Sequence, residues 1–251
     1  MRAVQEAAAN GIQIAVATGR RFDSARLIAA QLECPLDLII NNGALVKSLH
    51  GETRYRKLLD AGVARRVIDA TEEFRSKTGV IFDRAHGKQV VFEQIDWNGP
   101  FVGPYLRRHK EQVAEVAPLS ACLDGEDPVE VMYIGDCEAL RAIHARLAAP
   151  RLPDYSLALT EYEDRGLSML DVLAPGVSKG AALQGWAEGQ GISREEVMAV
   201  GDNWNDREML EYAGLPVVMG NAVADLKGRG WEMTLSNDES GVAHALRRHV
   251  L

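Results

Sequence analysis

The stretch VGDNWNDREMLEYAG, residues 200–214, joins the end of a predicted strand to a polar turn and the start of a predicted helix. The apolar run EVMAV stops at Gly201, and two aspartates and two asparagines then fall within the positions up to Asp206. Ligands of open α/β sheets bind at the carboxyl ends of the strands, and carboxylates there suit Mg²⁺. The stretch therefore predicts a metal- or phosphate-binding edge with Asp202 and Asp206 as metal ligands. Alternatively, Asp206 is the N-cap of the helix.

Two other segments alternate between strand and helix in the same way. The first begins with a helix that ends at Gly11, followed by the strand IQIAVAT, the helix GRRFDSARLIAAQL and the strand LDLII. The second resumes after Pro175. The strands are apolar on both faces, which is typical of a parallel sheet covered by helices. The pattern predicts an α/β core domain formed by residues 1–58 and 177–251.

The intervening residues 59–176 have a different pattern. An amphipathic helix, AGVARRVIDATEEFRSKTG, comes first. VIFDRAHGKQVVFEQ then predicts a hairpin that turns near His86, and SLALTEYEDRGLSMLDVLA predicts a second one. Hairpins imply antiparallel pairing, so we expect an α+β domain inserted into the core. Residues 83–89 are candidate substrate contacts, although a solvated turn explains them equally well.

Composition excludes several classes of protein. The 251 residues carry a formal net charge of −8, so no basic surplus is available for binding nucleic acid through bulk electrostatics. No apolar stretch is long enough to span a membrane. The three cysteines are far apart and odd in number, which favours a reducing compartment and predicts a cytoplasmic protein. The sequence does not determine the oligomeric state.

The loop ATGRR is a candidate phosphate site. Thr18 offers a hydroxyl group, and Gly19 offers a backbone N–H group that we place at the start of a helix, where free N–H groups and the helix dipole stabilise an anion. An ordinary strand-to-helix turn with a threonine cap is the alternative.

Lys179, in GVSKGAAL, is a second candidate. Ser178 is the expected N-cap, so Lys179 falls in the first turn, where a cation opposes the helix dipole. A bound anion would reverse that cost, whereas an exposed lysine would avoid it in solvent. If Lys179 serves a ligand, its removal should cost the ligand-free protein little stability.

Taken together, Thr18 in VATGR, Lys179 in GVSKGAAL, the motif GDNWND and the later segments GLPVVMGNA and NDESGVAHAL resemble the haloacid dehalogenase superfamily, and within it the Cof-type sugar-phosphate phosphatases. The resemblance covers the whole chain and includes NNGA. It implies a Rossmann-like core with an inserted C2B-type cap, and Mg²⁺-dependent hydrolysis of a small phosphorylated metabolite. Asp202 would then be a metal ligand and Asp206 a ligand or its partner. Phosphate would be held by Thr18, Gly19, Lys179 and Asn205, with Thr18 and Lys179 counted as catalytic.

The nucleophile of that superfamily is the first aspartate of a D-x-D motif on the central strand, and these 251 residues contain no such motif. A parallel strand reached through a helix also implies an earlier strand. We therefore expect a preceding segment that carries the motif, and no hydrolysis by the 251 residues alone. A non-catalytic protein that binds phosphorylated ligands is the alternative.

Overall fold

The computed structural model describes residues 1–85, 87–99, 103, 106–107, 110–149, 154–162 and 165–251. The chain divides into two compact units. We call Met1–Arg56 with Val177–Leu251 the core unit, and Lys57–Gly176 the inserted unit. None of the helices within the described ranges has the length and apolar character needed to cross a membrane.

The elements of both units follow in chain order. The α-helices are α1 (Arg2–Ala9), α2 (Phe22–Ala29), α3 (Ala61–Ala70), α4 (Cys137–Ala148), α5 (Lys179–Gly189), α6 (Arg207–Tyr212), α7 (Ala224–Lys227) and α8 (Gly241–His249). The strands are β1 (Ala15–Ala17), β2 (Asp37–Ile40), β3 (Leu45–Ser48), β4 (Thr53–Arg56), β5 (Thr78–Ile81), β6 (Val90–Phe92), β7 (Val113–Glu115), β8 (Glu130–Gly135), β9 (Ser156–Tyr162), β10 (Leu167–Leu173), β11 (Met198–Gly201), β12 (Leu215–Val218) and β13 (Glu232–Met233).

The core unit contains two sheets. In the first, β1 runs parallel to β2, with Val16 opposite Leu38, and β2, β3 and β4 continue as an antiparallel meander. In the second, β11, β12 and β13 are all parallel. The predicted α/β fold class with parallel strands is confirmed. The antiparallel pair β3 and β4 was not predicted, because β4 reads TRYR and every one of its residues is exposed.

Helix α5 packs against both sheets. Its Ala182, Leu183 and Ala187 belong to one apolar cluster with Ile39 of β2 and Ala199 of β11. All four residues of β2 are buried, as the apolar sequence DLII predicts for a strand covered on both faces. This shared core holds the carboxyl ends of β1, β2 and β11 within the same unit.

Strands β1 and β11 each have one edge that pairs with no other strand among the described residues. Strand β1 pairs with β2 alone, and β11 pairs with β12 alone. Unpaired backbone groups on a strand edge form hydrogen bonds with whatever strand or solvent adjoins them. The expected additional strand, which would carry the D-x-D motif, stays a prediction.

The inserted unit is built on one sheet with the strand order β7-β6-β5-β8-β10-β9. Both predicted hairpins are present, since β5 pairs antiparallel with β6, and β9 with β10. The predicted amphipathic helix is shorter than expected, because α3 ends at Ala70 and a 3₁₀ segment follows. At the first hairpin, the N–H of Phe82 donates to the carbonyl of Gln89 at 2.8 Å, and Arg84 pairs with Glu126 at 2.6 Å. His86 lies outside the described residues, and the substrate role of residues 83–89 stays a prediction.

Candidate phosphate and metal site

The predicted site residues lie in three segments of the core unit, and the turn after β2 forms a fourth segment beside them. Thr18 directly follows β1, and Asn41 directly follows β2. Asp202 directly follows β11, and Lys179 is the first residue of α5. Side-chain hydrogen bonds join these segments in pairs, because Lys179 contacts Asp206 and Asn205 contacts the turn after β2.

Lys179 forms a buried ion pair with Asp206. The two residues are each 6% exposed, and Lys179 Nζ lies 2.7 Å from Asp206 Oδ1. The predicted N-cap is confirmed, since the Ser178 hydroxyl accepts the N–H of Ala181 at 3.1 Å. The alternative of an exposed lysine is wrong. The expectation that Lys179 is dispensable for stability stays a prediction, and the ion pair argues against it, because removal of Lys179 would leave a buried carboxylate without its cation.

Asp206 is held on both of its oxygen atoms. While Oδ1 accepts from Lys179, Oδ2 accepts the backbone N–H groups of Asp202 at 2.9 Å and Asn203 at 3.1 Å. Asp206 therefore ties the acidic loop back on itself and does not cap α6 with its side chain. These hydrogen bonds favour the alternative in which Asp206 supports the metal ligand Asp202. Direct binding of the metal by Asp206 stays a prediction.

Asp202 lies on the exposed side of the same loop. Its Oδ2 accepts Nδ2 of Asn221 at 3.0 Å, and Oδ1 of Asn221 accepts the N–H of Asn237 at 2.9 Å. Partial burial raises the pKa of Asp202, and the neighbouring charge of Asp206 raises it further. The hydrogen bond from Asn221 and the charge of Lys179 act in the opposite direction. Asn221 was not assigned a role from the sequence, although it belongs to the segment MGNA.

The acidic loop fits a hard divalent cation. Asp202 presents an accessible carboxylate at a strand end, and a cation would offset the negative charge of Asp206, which is the second cause of its raised pKa after partial burial. Oxygen ligands, with waters completing the octahedron, are what Mg²⁺ requires, and one or two protein carboxylates are usual. No cluster of three or more metal-binding side chains was found in the part of the chain that the structure describes.

Thr18 lies half-buried in a compact loop. Its backbone N–H donates to the carbonyl of Ile39 at 2.8 Å, and its hydroxyl accepts the N–H of Arg20 at 3.1 Å. Helix α2 begins at Phe22, with Arg21 as its N-cap. The placement of Gly19 at the start of the helix is therefore wrong by two to three residues, and the loop presents its own N–H groups rather than those of a helix end.

The turn NNGA brings the loop after β2 against the start of α5. Gly43 has a φ of +101°, and a Cβ atom at this position would lie 2.2 Å from the carbonyl oxygen of Ser178. Only glycine fits this approach. Asn42 of the same turn accepts Nδ2 of Asn205 at 2.9 Å, a contact that sequence reasoning missed. Its only sequence signal is a pair of asparagines after a buried strand.

A Rossmann-like core with polar side chains at the carboxyl ends of its strands, and with an α+β unit inserted in the chain between its two halves, is typical of the haloacid dehalogenase class of hydrolases. The chain belongs to this family: the model of the haloacid dehalogenase-like hydrolase family matches residues 1–246. The predicted family is thereby confirmed.

Individual relatives agree with this assignment. The 5-amino-6-(5-phospho-D-ribitylamino)uracil phosphatase YitU of Bacillus subtilis is 25% identical, over 99% of this chain and 89% of its own length. A haloacid dehalogenase-like hydrolase of known structure from B. subtilis has a TM-score of 0.81 at 25% identity, and the match covers 100% of this chain and 92% of that one. A subclass IIB sugar phosphatase of the superfamily shares the fold, with a TM-score of 0.75 at 20% identity over 98% and 89% of the two chains.

Proposed function

We propose that this protein is a Mg²⁺-dependent phosphomonoester hydrolase that acts on a small phosphorylated metabolite such as a sugar phosphate, in the cytoplasm. Family membership supports hydrolysis, and the names of the relatives support a small phosphorylated substrate. The cytoplasmic location is supported by three cysteines that form no disulfide with one another.

The observation that carries the proposal is the buried pair of Lys179 and Asp206. A lysine that is 6% exposed at the start of a helix is unfavourable unless negative charge lies beside its ammonium group. Asp206 supplies one negative charge at 2.7 Å, and the same carboxylate fixes the position of Nζ. A lysine held in this way offsets charge on a phosphoryl group without further reorganisation.

The remaining phosphate contacts come from the loop after β1 and from the acidic loop. Thr18 offers its hydroxyl, Gly19 its backbone N–H, and Asn205 its side-chain amide. These neutral donors orient a phosphoryl group, while Lys179 supplies the positive charge. Asp202, with Asp206 as its partner, would hold the cation. When bound, Mg²⁺ supplies charge neutralisation at the phosphoryl oxygens.

These 251 residues alone are proposed to bind phosphate and not to hydrolyse it. Nucleophilic catalysis needs a carboxylate oxygen placed in line with the leaving group. Both oxygens of Asp206 already accept hydrogen bonds, and Asp202 is assigned to the cation. The resemblance assigns attack to an aspartate of a D-x-D motif, through an aspartyl-phosphate. A protein that only binds phosphorylated ligands is therefore the second candidate.

The two candidates separate in a turnover assay. We would compare the 251-residue chain with a chain extended upstream through a D-x-D strand, on a panel of sugar phosphates with Mg²⁺ or EDTA. The proposal expects turnover by the extended chain with Mg²⁺ and none with EDTA. Equal turnover by the short chain would mean that its nucleophile lies within residues 1–251. No turnover by either chain would favour the binding protein.

A further inference from the structure

The side chain of Asn42 lies between the two loops that supply the proposed phosphate contacts. Asn42 is 1% exposed, and its backbone N–H donates to the carbonyl of Thr18 at 3.2 Å. Its Oδ1 accepts Nδ2 of Asn205 at 2.9 Å. A Cβ atom built on Gly19 would lie 3.1 Å from both Nδ2 and Oδ1 of Asn42. One residue therefore touches Thr18, Gly19 and Asn205.

The backbone of Asn42 favours asparagine over most other residues. Its φ of 51° and ψ of 27° lie in the left-handed region. Asparagine and glycine tolerate this region, whereas other side chains are strained by roughly 1 kcal/mol. Glycine would satisfy the backbone and lose the carboxamide. The contacts of the carboxamide are therefore what Asn42 provides beyond the conformation of the turn.

The hydrogen bond between Asn42 and Asn205 also sets the orientation of the Asn205 carboxamide. The nitrogen of a carboxamide carries two hydrogens, and Asn42 Oδ1 accepts one of them. This bond fixes the rotation of the Asn205 amide and leaves the second hydrogen for another acceptor. Without it, the amide would rotate freely, and binding of a ligand would have to order it.

We propose that Asn42 is a positioning residue of the phosphate site, which holds the donor group of Asn205 and the close approach of Gly19 in the arrangement that receives a phosphoryl group. The inference rests on the proposed function. Asn42 acts through Asn205 and Gly19 and needs no contact with the phosphate. Both residues lie on loops from separate sheets of the core unit, so the carboxamide of Asn42 is the bridge that sets their relative position.

A double-mutant cycle tests this role. The variants are Asn42→Gly, Asn205→Ala and the two combined, in the 251-residue chain, with inorganic phosphate titrated in the presence of Mg²⁺ by calorimetry. Loss of one positioned hydrogen bond corresponds to a loss of affinity on the order of tenfold. If Asn42 acts partly through Asn205, the combined variant loses less affinity than the product of the two single losses. Losses that multiply would overturn the inference.

Asn41→Gly is the matched control. Asn41 lies in the same turn, is 2% exposed and also has a positive φ of 47°. We expect it to reduce thermal stability by an amount similar to Asn42→Gly while keeping phosphate affinity within about twofold. An equal loss of affinity in both variants would assign the effect to the whole turn and overturn the inference. Absence of phosphate binding by the unaltered chain would overturn the proposed function, and this inference with it.

Discussion

The acidic loop after β11 and the loop after β1 both end a parallel strand of the core unit, but they are stabilised differently. In the acidic loop, Asp206 binds a buried lysine and two backbone N–H groups. In the other loop, Thr18 accepts one N–H group from its own loop, and Thr18, Gly19 and Arg20 are half-buried or exposed, whereas Arg21 is buried. Charge and burial fix the first loop, whereas neutral hydrogen bonds, within the loop and to the backbone of Ile39, Asn41 and Asn42, shape the second.

The difference separates two requirements of a phosphate site. A lysine and a carboxylate that carry opposite charges must be rigid, because an unpaired buried charge is costly. Neutral donors such as Thr18 can remain accessible, because they lose little when solvent replaces the ligand. We therefore expect substitutions of Lys179 or Asp206 to affect stability and binding together, and substitutions at Thr18 to affect mainly binding.

Asp206→Asn should produce the largest loss of stability. The substitution leaves Lys179 buried without its counter-charge, which typically costs about 3–5 kcal/mol in the free energy of unfolding. Denaturant unfolding followed by circular dichroism measures it. Asp202→Asn, four residues earlier in the same loop, is the control and should cause no loss of stability near neutral pH. Equal effects of the two variants would contradict the distinction between them.

Lys179→Met should produce the next largest loss. Methionine preserves the length and the apolar stem, but Asp206 keeps only its two backbone donors. A hydrogen bond to a charged group contributes about 1.5–3 kcal/mol, and we expect a loss in that range without ligand. Phosphate affinity should fall as well. Unchanged stability of the ligand-free variant would show that Lys179 is exposed in solution. It would contradict the claim that the ion pair with Asp206 stabilises the acidic loop.

Asp202→Asn should change the dependence of stability on pH. The raised pKa means that the folded protein binds the Asp202 proton more tightly than the unfolded chain does, relative to the ordinary value of 3.8. The contribution of this group to stability is therefore present at low pH and lost as the pH rises through the folded pKa. Without Mg²⁺, the variant should gain stability relative to the unaltered protein between about pH 3 and pH 7. A difference that is constant or shrinks over this range would argue against the raised pKa.

Thr18→Val should have the smallest effect on the fold. Valine matches the shape of threonine and removes the hydroxyl, so the N–H of Arg20 loses its acceptor while exposed to solvent. We expect a stability change below about 1 kcal/mol and a loss of phosphate affinity of about fivefold. Thr18→Ser, which keeps the hydroxyl, should bind phosphate nearly as well. A large loss of stability in the valine variant would show that the hydroxyl of Thr18 is needed for folding, as Lys179 and Asp206 are expected to be.

Local patterns in the sequence were sufficient for much of the fold. The apolar runs of β2 and β11 and the hairpins of the inserted unit were predicted because each produces a periodicity of its own. The hairpin of β3 and β4 was missed because pairing with a neighbouring strand, rather than an apolar face, supports the exposed sequence TRYR.

The site was predictable as a set of residues but not as a network of contacts. Lys179 was correctly placed in the first turn of α5, but its burial depends on Asp206, which is 27 residues away in the chain. The bridge from Asn42 to Asn205 spans 163 residues. No local pattern encodes such partners, since tertiary packing brings them together. Asn42 was therefore missed, and Lys179 was expected to be dispensable.

Linkage between Mg²⁺ and phosphate tests the account most directly, because it asks whether the two loops form one site. Inorganic phosphate would be titrated into the 251-residue chain with Mg²⁺ and with EDTA, and Mg²⁺ would be titrated with and without phosphate. If both ligands bind at the carboxyl ends of β1 and β11, each should raise the affinity of the other by the same factor, on the order of tenfold. Asp202→Asn should remove that factor and leave a weak, metal-independent affinity for phosphate. Phosphate binding that is equally tight in Mg²⁺ and EDTA would contradict the account.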